Sequence, residues 1–180
     1  MAEIQLLKDA KEFKQAYALQ SVLLSEEPQD NELAYDTAIL AERVGQYDEM
    51  EKLLRGIIER QPDFQHAYNA LGYSYADRGI RLDEAEQLIR KALELSPGDP
   101  FITDSLAWVK FRQGDSAEAL RLLQQAYATR QDVEIAAHLG EVLWARGDRQ
   151  QAREVWLQGV KLNPDNEVLQ ETLKRLQVRL

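Results

Sequence analysis

The sequence contains no cysteine, which removes disulfides, thiol nucleophiles and thiolate metal sites from consideration. The absence does not fix a compartment, because a helical protein can do without cross-links in a reducing or an oxidising space. Only five prolines and nine glycines occur among 180 residues, and no low-complexity tract interrupts the chain, so long ordered segments can form. The two histidines, His66 and His138, are 72 positions apart and are expected as isolated surface or groove residues, not as a metal pair. No zinc-protease, nucleophile-elbow, phosphate-loop or dinucleotide motif occurs. No apolar run approaches the roughly 18 residues that would span a bilayer, so direct membrane insertion is not expected. The opening MAEIQLLKDAKEF has no basic head joined to an apolar core and cleavage site. As written, the chain is expected in the cytoplasm; an export signal lying upstream would place it elsewhere.

What is present is the composition of a folded, water-compatible protein: 44% hydrophobic and 29% charged. The net charge is −9 and the isoelectric point about 4.8. Acid is concentrated early, with 18 acidic against 10 basic residues in the first ninety and 13 against 12 in the last ninety. Nucleic acid would meet repulsion in the first half and no basic surplus in the second. A basic protein or peptide is the charged partner this balance favours, with plain solubility as the blander role of the same charge.

A repeat organises the chain. Gly45, Gly79, Gly114 and Gly147 follow one another at intervals of 34, 35 and 33. Each lies between two helix-like runs, such as Ala67, Ala70, Leu71, Ser74 and Tyr75 before Gly79, and Ala85, Leu88, Ile89 and Ala92 after it. Glycine at the end of the first run permits a left-handed turn. Asp115 and Asp148 follow their glycines and are expected to cap the next helix. The second runs end near Pro62, Pro97 and Pro164, where a helix cannot continue. Ala85, Ala119 and Ala152 recur early in each second helix, where a small side chain permits close helix approach. Gly72 and Gly140 are expected to do the same from the first helices, whereas Glu86 is read as an exposed neighbour. One helix pair alone would leave an apolar face wet, and stacking pairs buries it. The expected fold is all-α, with about ten helices; a closed four-helix bundle competes but would not require matched glycines and alanines.

At these positions the sequence resembles the tetratricopeptide repeat family. Tyr68, Leu71-Gly72, Tyr75, Ala85, Ile89, Ala92 and Pro97 follow its 34-residue pattern. Leu106-Ala107, Ala119, Leu123 and Ala126, and then Leu139-Gly140, Ala152, Trp156 and Pro164, follow it again. The first full repeat is weaker, with Thr37-Ala38 where Leu-Gly is usual. One extra residue lies between Gly79 and Ala85, and the third repeat is a residue short and ends on Thr129–Asp132 without proline. The resemblance implies a right-handed superhelical solenoid of antiparallel helix pairs. Residues 1–30 would form a partial repeat or cap, 31–166 four helix pairs, and 167–180 a capping helix with Val168, Leu169, Leu173 and Leu176 inward. Glu3–Lys8 is expected to be too short for a full helix. The span ALGYSYADRGIRLDEAEQLIRKALELSPGDPFITDSLAWVKFRQGD is also similar to C-terminal repeats of bacterial, Gram-negative envelope lipoproteins that scaffold other proteins. If the chain were part of such a protein, the periplasm or an outer-membrane anchor would be its place.

In this family the first helices line a concave binding face, so the resemblance implies a set of partner-contacting residues. They are Tyr35, Glu42, Asn69, Tyr73, Asp77, Asp104, Trp108, Arg112, His138, Glu141 and Trp144. Tyr73 and Trp108 are expected to be exposed in the groove as aromatic platforms beside Arg112. Trp144 could equally cover Trp156. The family's carboxylate clamp is largely missing: Tyr35 and Ile39 stand at two of its positions, and Asp104 would repel a carboxylate. The implied function is a protein–protein interaction scaffold without catalysis or cofactor. The alternative is an assembly or regulatory piece whose surface meets upstream repeats of its own chain. Apolar residues near the N-terminus, such as Phe13, are expected to lack cover. Weak, concentration-dependent dimers through that edge should then appear in sedimentation experiments, and a strictly monomeric chain would contradict the expectation.

Overall fold

The computed structural model describes residues 2–180. Among them are eleven α-helices and no strand: α1 (Ala2–Asp9), α2 (Phe13–Glu26), α3 (Asn31–Arg43), α4 (Tyr47–Arg60), α5 (Gln65–Arg78), α6 (Leu82–Leu95), α7 (Pro100–Arg112), α8 (Ser116–Thr129), α9 (Val133–Arg146), α10 (Arg149–Leu162) and α11 (Glu167–Arg175). Two compact units result. One ends at Leu71 and the other is Gly72–Leu180, with the boundary inside α5.

In the first unit α3 packs mainly on α4 and α2, and α2 on α1. Segment 3–8, expected to be too short for a full helix, lies in α1, which at 8 residues is shorter than the 13- and 14-residue helices α3 and α2 that follow it. Ile4 anchors it in a buried cluster with Ala16 and Leu40, and Phe13 and Tyr17 pack against this cluster. Phe13 is therefore half-buried, contrary to the expectation that it lacks cover. Leu6, Leu19 and Val22 remain exposed.

In the second unit α7 packs on α8 and α9 on α10. First helices also meet one another: α7 touches α9, and α9 touches α11. The repeated glycines all turn the chain with positive φ, +79° at Gly45, +68° at Gly79, +91° at Gly114 and +96° at Gly147. At Gly114 the reversal is secured by the Asp115 N–H donating to the Lys110 carbonyl at 2.9 Å. Where the second repeat carries its extra residue, Arg81 takes the left-handed conformation, φ +46°. Its guanidinium donates to the Tyr75 hydroxyl at 3.0 Å and lies 5.3 Å from that ring's centre, contacts that offset the strain of a non-glycine there.

Close helix approach is visible at the small residues. Ala85, Ala119 and Ala152 are fully buried. A methyl group on Gly72 would stand 2.6 Å from Ile89 Cγ1 and 2.9 Å from the Ala85 carbonyl oxygen. One on Gly140 would collide with the Trp156 indole, which is fully buried and donates its Nε1–H to the Ala137 carbonyl at 3.1 Å.

Capping favours the first helices. Asp30, Asp99 and Asp132 accept backbone N–H groups of α3, α7 and α9, and Asn166 does so for α11. Asp115 caps α8 as expected, but Asp148 stands at the N-cap of α10 without a side-chain bond. The closing segment is a shorter helix than expected. α11 stops at Arg175, Gln177 turns with φ +55°, and the Val178 N–H donates to the Leu173 carbonyl at 2.9 Å.

Glu86 is not the exposed neighbour expected. Its carboxylate joins α6 to α7, accepting from Lys110 at 2.7 Å and Gln113 at 3.0 Å as well as from Arg90. Burial acts to raise its pKa, but hydrogen bonds from Lys110, Gln113 and Arg90 outweigh burial and hold it at about 2. Gln87, exposed on the same helix, is the better reference position. Ala85→Leu should lower stability by about 1–3 kcal/mol through overpacking, and Gln87→Ala by no more than about 0.5 kcal/mol. Equal urea midpoints for the two variants would contradict the packing described for Ala85.

Candidate interaction site

The polar centre of the second unit is assembled from three first helices. His138 on α9 is buried, 3% exposed. Its Nδ1–H donates to both oxygens of the Asp104 carboxylate on α7, at 2.9 and 3.0 Å. Its Nε2 faces the Tyr73 hydroxyl of α5 at 3.3 Å. One ring face stacks on Trp108, with centroids 4.4 Å apart and planes 22° from parallel. Burial acts to lower the His138 pKa. The charge and hydrogen bond of Asp104, with Glu141 and Glu134 farther off, reverse that and raise it above the ordinary imidazole value.

The same geometry couples His138 to the surface. When the imidazole is neutral, the Tyr73 O–H can donate to Nε2. When it is protonated, Nε2–H donates and the Tyr73 proton turns elsewhere. Outside this array lies a cavity of about 250 Å³ lined by Tyr73, Asp77, Trp108, His138 and Glu141, and by Val168, Glu171, Thr172 and Arg175 of α11. Glu141 is 6% exposed and is answered by the Arg175 guanidinium at 2.6 Å. Among the described residues no group of three or more His, Cys, Asp or Glu side chains is placed to hold a metal, and no helix is long and apolar enough to cross a membrane.

Family models described as tetratricopeptide repeat match residues 35–100 and 110–176. The chain belongs to the tetratricopeptide repeat family. It is 44% identical over 176 residues to a TPR repeat-containing protein of Pseudomonas aeruginosa, covering 98% of this chain and 30% of that protein. It is 26% identical over 161 residues to the mouse protein O-mannosyl-transferase TMTC1, covering 85% of this chain and 17% of that one. The chain thus spans less than a third of the length of these relatives. Among solved structures, a thermophilic TPR protein of Thermus thermophilus superposes with a TM-score of 0.86 at 20% identity, covering 99% of this chain and 97% of that one. Residues 41 to the end of MamA from Desulfovibrio magneticus RS-1 superpose with a TM-score of 0.67 at 15% identity, covering 92% and 94%. The all-α fold of tetratricopeptide helix pairs expected from the repeat is the fold of this chain, and tetratricopeptide repeats serve generally as protein-interaction scaffolds.

The structure brings together five of the eleven candidate residues at the cavity: Tyr73, Asp77, Trp108, His138 and Glu141. Asp104 lies directly behind them on His138. Three expectations are corrected. Trp108 is 5% exposed: stacking on His138 removes it from solvent, so it is a wall and not a platform. His138 is neither isolated nor on the surface, since it reaches partners on two other helices. Asp104 is buried and bound to His138, so it presents no bare charge to a carboxylate. Arg112 is exposed, but its Nη1 donates to the Asp77 carbonyl at 2.6 Å and its guanidinium carbon lies 6.0 Å from the Trp108 centroid. Trp144 takes the packing role, 5.6 Å from Trp156 and covered by Arg149 at 3.8 Å.

Tyr35, Glu42 and Asn69 belong to the first unit. Tyr35 sits 5.7 Å from Phe64 and 6.1 Å from His66. Burial, then Asp36, Glu42 and Glu32, raise its pKa above the ordinary phenol value. The Asn69 side-chain oxygen is buried without a hydrogen bond. Sequence reasoning missed the α11 contribution altogether. Sequence reasoning assigned this helix only an inward apolar face, and no spacing in the sequence ties Arg175 to Glu141, 34 positions earlier.

The raised His138 pKa sets a pH dependence. The stabilisation is fully present below the ordinary imidazole pKa of about 6.5 and is lost as pH rises through the higher folded value. The urea midpoint should fall from pH 6 towards pH 9 in the natural protein and stay nearly level in His138→Asn. A midpoint that rises with pH in the natural protein would contradict the assigned ion pair.

Proposed function

We propose that the chain is a non-catalytic interaction scaffold whose second unit holds a partner protein or peptide along the face formed by α5, α7 and α9. The observation that carries this reading is the convergence of Tyr73, Asp77, Trp108, His138 and Glu141 on one cavity from three separate first helices. Ordinary packing between helix pairs does not need a buried Asp–His–Tyr array there. Such an array fixes side chains that face the cavity, so a partner is met by a rigid wall and little ordering entropy is lost on binding. The acidic balance of the chain favours a partner carrying basic residues.

A second reading rests on length. The stretch equivalent to this chain is 30% of the Pseudomonas aeruginosa relative. The same face, or the exposed Leu6, Leu19 and Val22 of the first unit, would then meet other repeats or a second copy.

Tyr73 is the residue to test, because it is half-buried at the cavity. Trp108→Ala would empty a core site and cost about 3–5 kcal/mol of stability, which confounds any binding result. A partner first identified by co-purification from the source cell should lose at least about 2 kcal/mol of affinity on Tyr73→Ala, measured at a temperature where circular dichroism shows the variant folded. Retention of full affinity by a folded Tyr73→Ala protein would move the search to another surface.

A further inference from the structure

We infer that the cavity between α5, α7, α9 and α11 is a socket for a single cationic side chain, an arginine or lysine of the bound peptide, held between the carboxylates of Asp77 and Glu171. This rests on the reading of the face as a peptide-binding surface and names what enters it.

Size is the first argument. The cavity is about 250 Å³, below the roughly 300–1,000 Å³ of pockets that enclose drug-sized ligands, and so suited to one long side chain. Charge is the second. Three carboxylates line the cavity, those of Asp77, Glu141 and Glu171, and Asp104 lies behind His138. The cations there are already engaged: His138 by Asp104, and Arg175 by Glu141 at 2.6 Å. Arg112, at the rim, donates to a main-chain carbonyl. Asp77 and Glu171 are exposed and make no ion pair among the described residues. Asp77 also acts on Arg175 at longer range, but an entering anion would still meet more negative than positive charge, and an entering cation would neutralise the excess.

The walls fit the remainder of such a side chain. Arg175 lays its guanidinium on this lining against Glu141, leaving Asp77 and Glu171 for the entering charge. Val168 and the methyl group of Thr172 offer apolar surface to methylene groups. The ring of Tyr73 offers a π face to the charge. Trp108, also in the lining, reports on the cavity through its indole N–H.

The test is a nuclear magnetic resonance titration of the whole chain with three capped pentapeptides. Each is all-alanine except for arginine, norleucine or glutamate at its centre. The arginine peptide should shift the Trp108 indole N–H signal saturably, and the other two should bind at least about tenfold more weakly. The double variant Asp77→Asn, Glu171→Gln removes two exposed charges and should stay folded. It should lose at least about tenfold in affinity for the arginine peptide, along with most of the salt dependence. Equal binding of the three peptides, no saturable shift with the arginine peptide, or undiminished affinity in the double variant would overturn the socket. If the double variant alone keeps the co-purified partner at full strength while Tyr73→Ala loses it, the socket is wrong and the face stands. If Tyr73→Ala also keeps that partner, the underlying reading fails.

Discussion

Two helices can cross closely only where one of them presents almost no side chain, and the second unit depends on that constraint. At Gly72 the α5 backbone meets Ile89 and the Ala85 carbonyl with no room for a methyl group, and at Gly140 the α9 backbone meets the Trp156 indole. These approaches fix the rotation of each first helix about its own axis. Once that rotation is fixed, residues on the adjoining faces of the same helices are aimed as well. Tyr73 follows Gly72 directly, and His138 and Glu141 flank Gly140. The same short segments therefore set the packing and the inner face, which is why a glycine needed for packing sits beside a residue that lines the cavity.

The inner face carries an unusual polar load for a helix stack. Burying a histidine and an aspartate is costly unless they answer each other. Here the pair is closed on one side by Tyr73 and on the other by the Trp108 ring. The arrangement fixes four side chains from three helices in one geometry. It also links the protonation of a buried group to the direction of a hydroxyl at the cavity. Glu141 and Arg175 add a further tie between α9 and α11, so the closing helix forms part of the inner wall as well as an end cap.

Much of the fold was legible because its punctuation is periodic. Gly45, Gly79, Gly114 and Gly147 marked the turns, and Ala85, Ala119 and Ala152 marked the crossings, since each does a job that few other residue types can do. The inner face was legible in outline, because helical phase placed Tyr73, Asp77, Asp104, Trp108, His138 and Glu141 together. Their burial was not. Phase gives direction but not depth, and the depth of Trp108 depends on His138, on another helix a full repeat away. Pairings across repeats, such as Glu86 with Lys110 and Glu141 with Arg175, escaped for the same reason. The cap at Asp148 failed because N-cap position alone does not aim a carboxylate at a free N–H.

The central claim is that the inner face of α5, α7 and α9 is where this chain meets its partner. Site-specific photo-crosslinking in the source cell tests it most directly, with the crosslinking amino acid placed either at position 73 or at position 121, an exposed site on α8. The account predicts a discrete covalent adduct from position 73 and none from position 121. An adduct from position 121 with none from position 73 would contradict it.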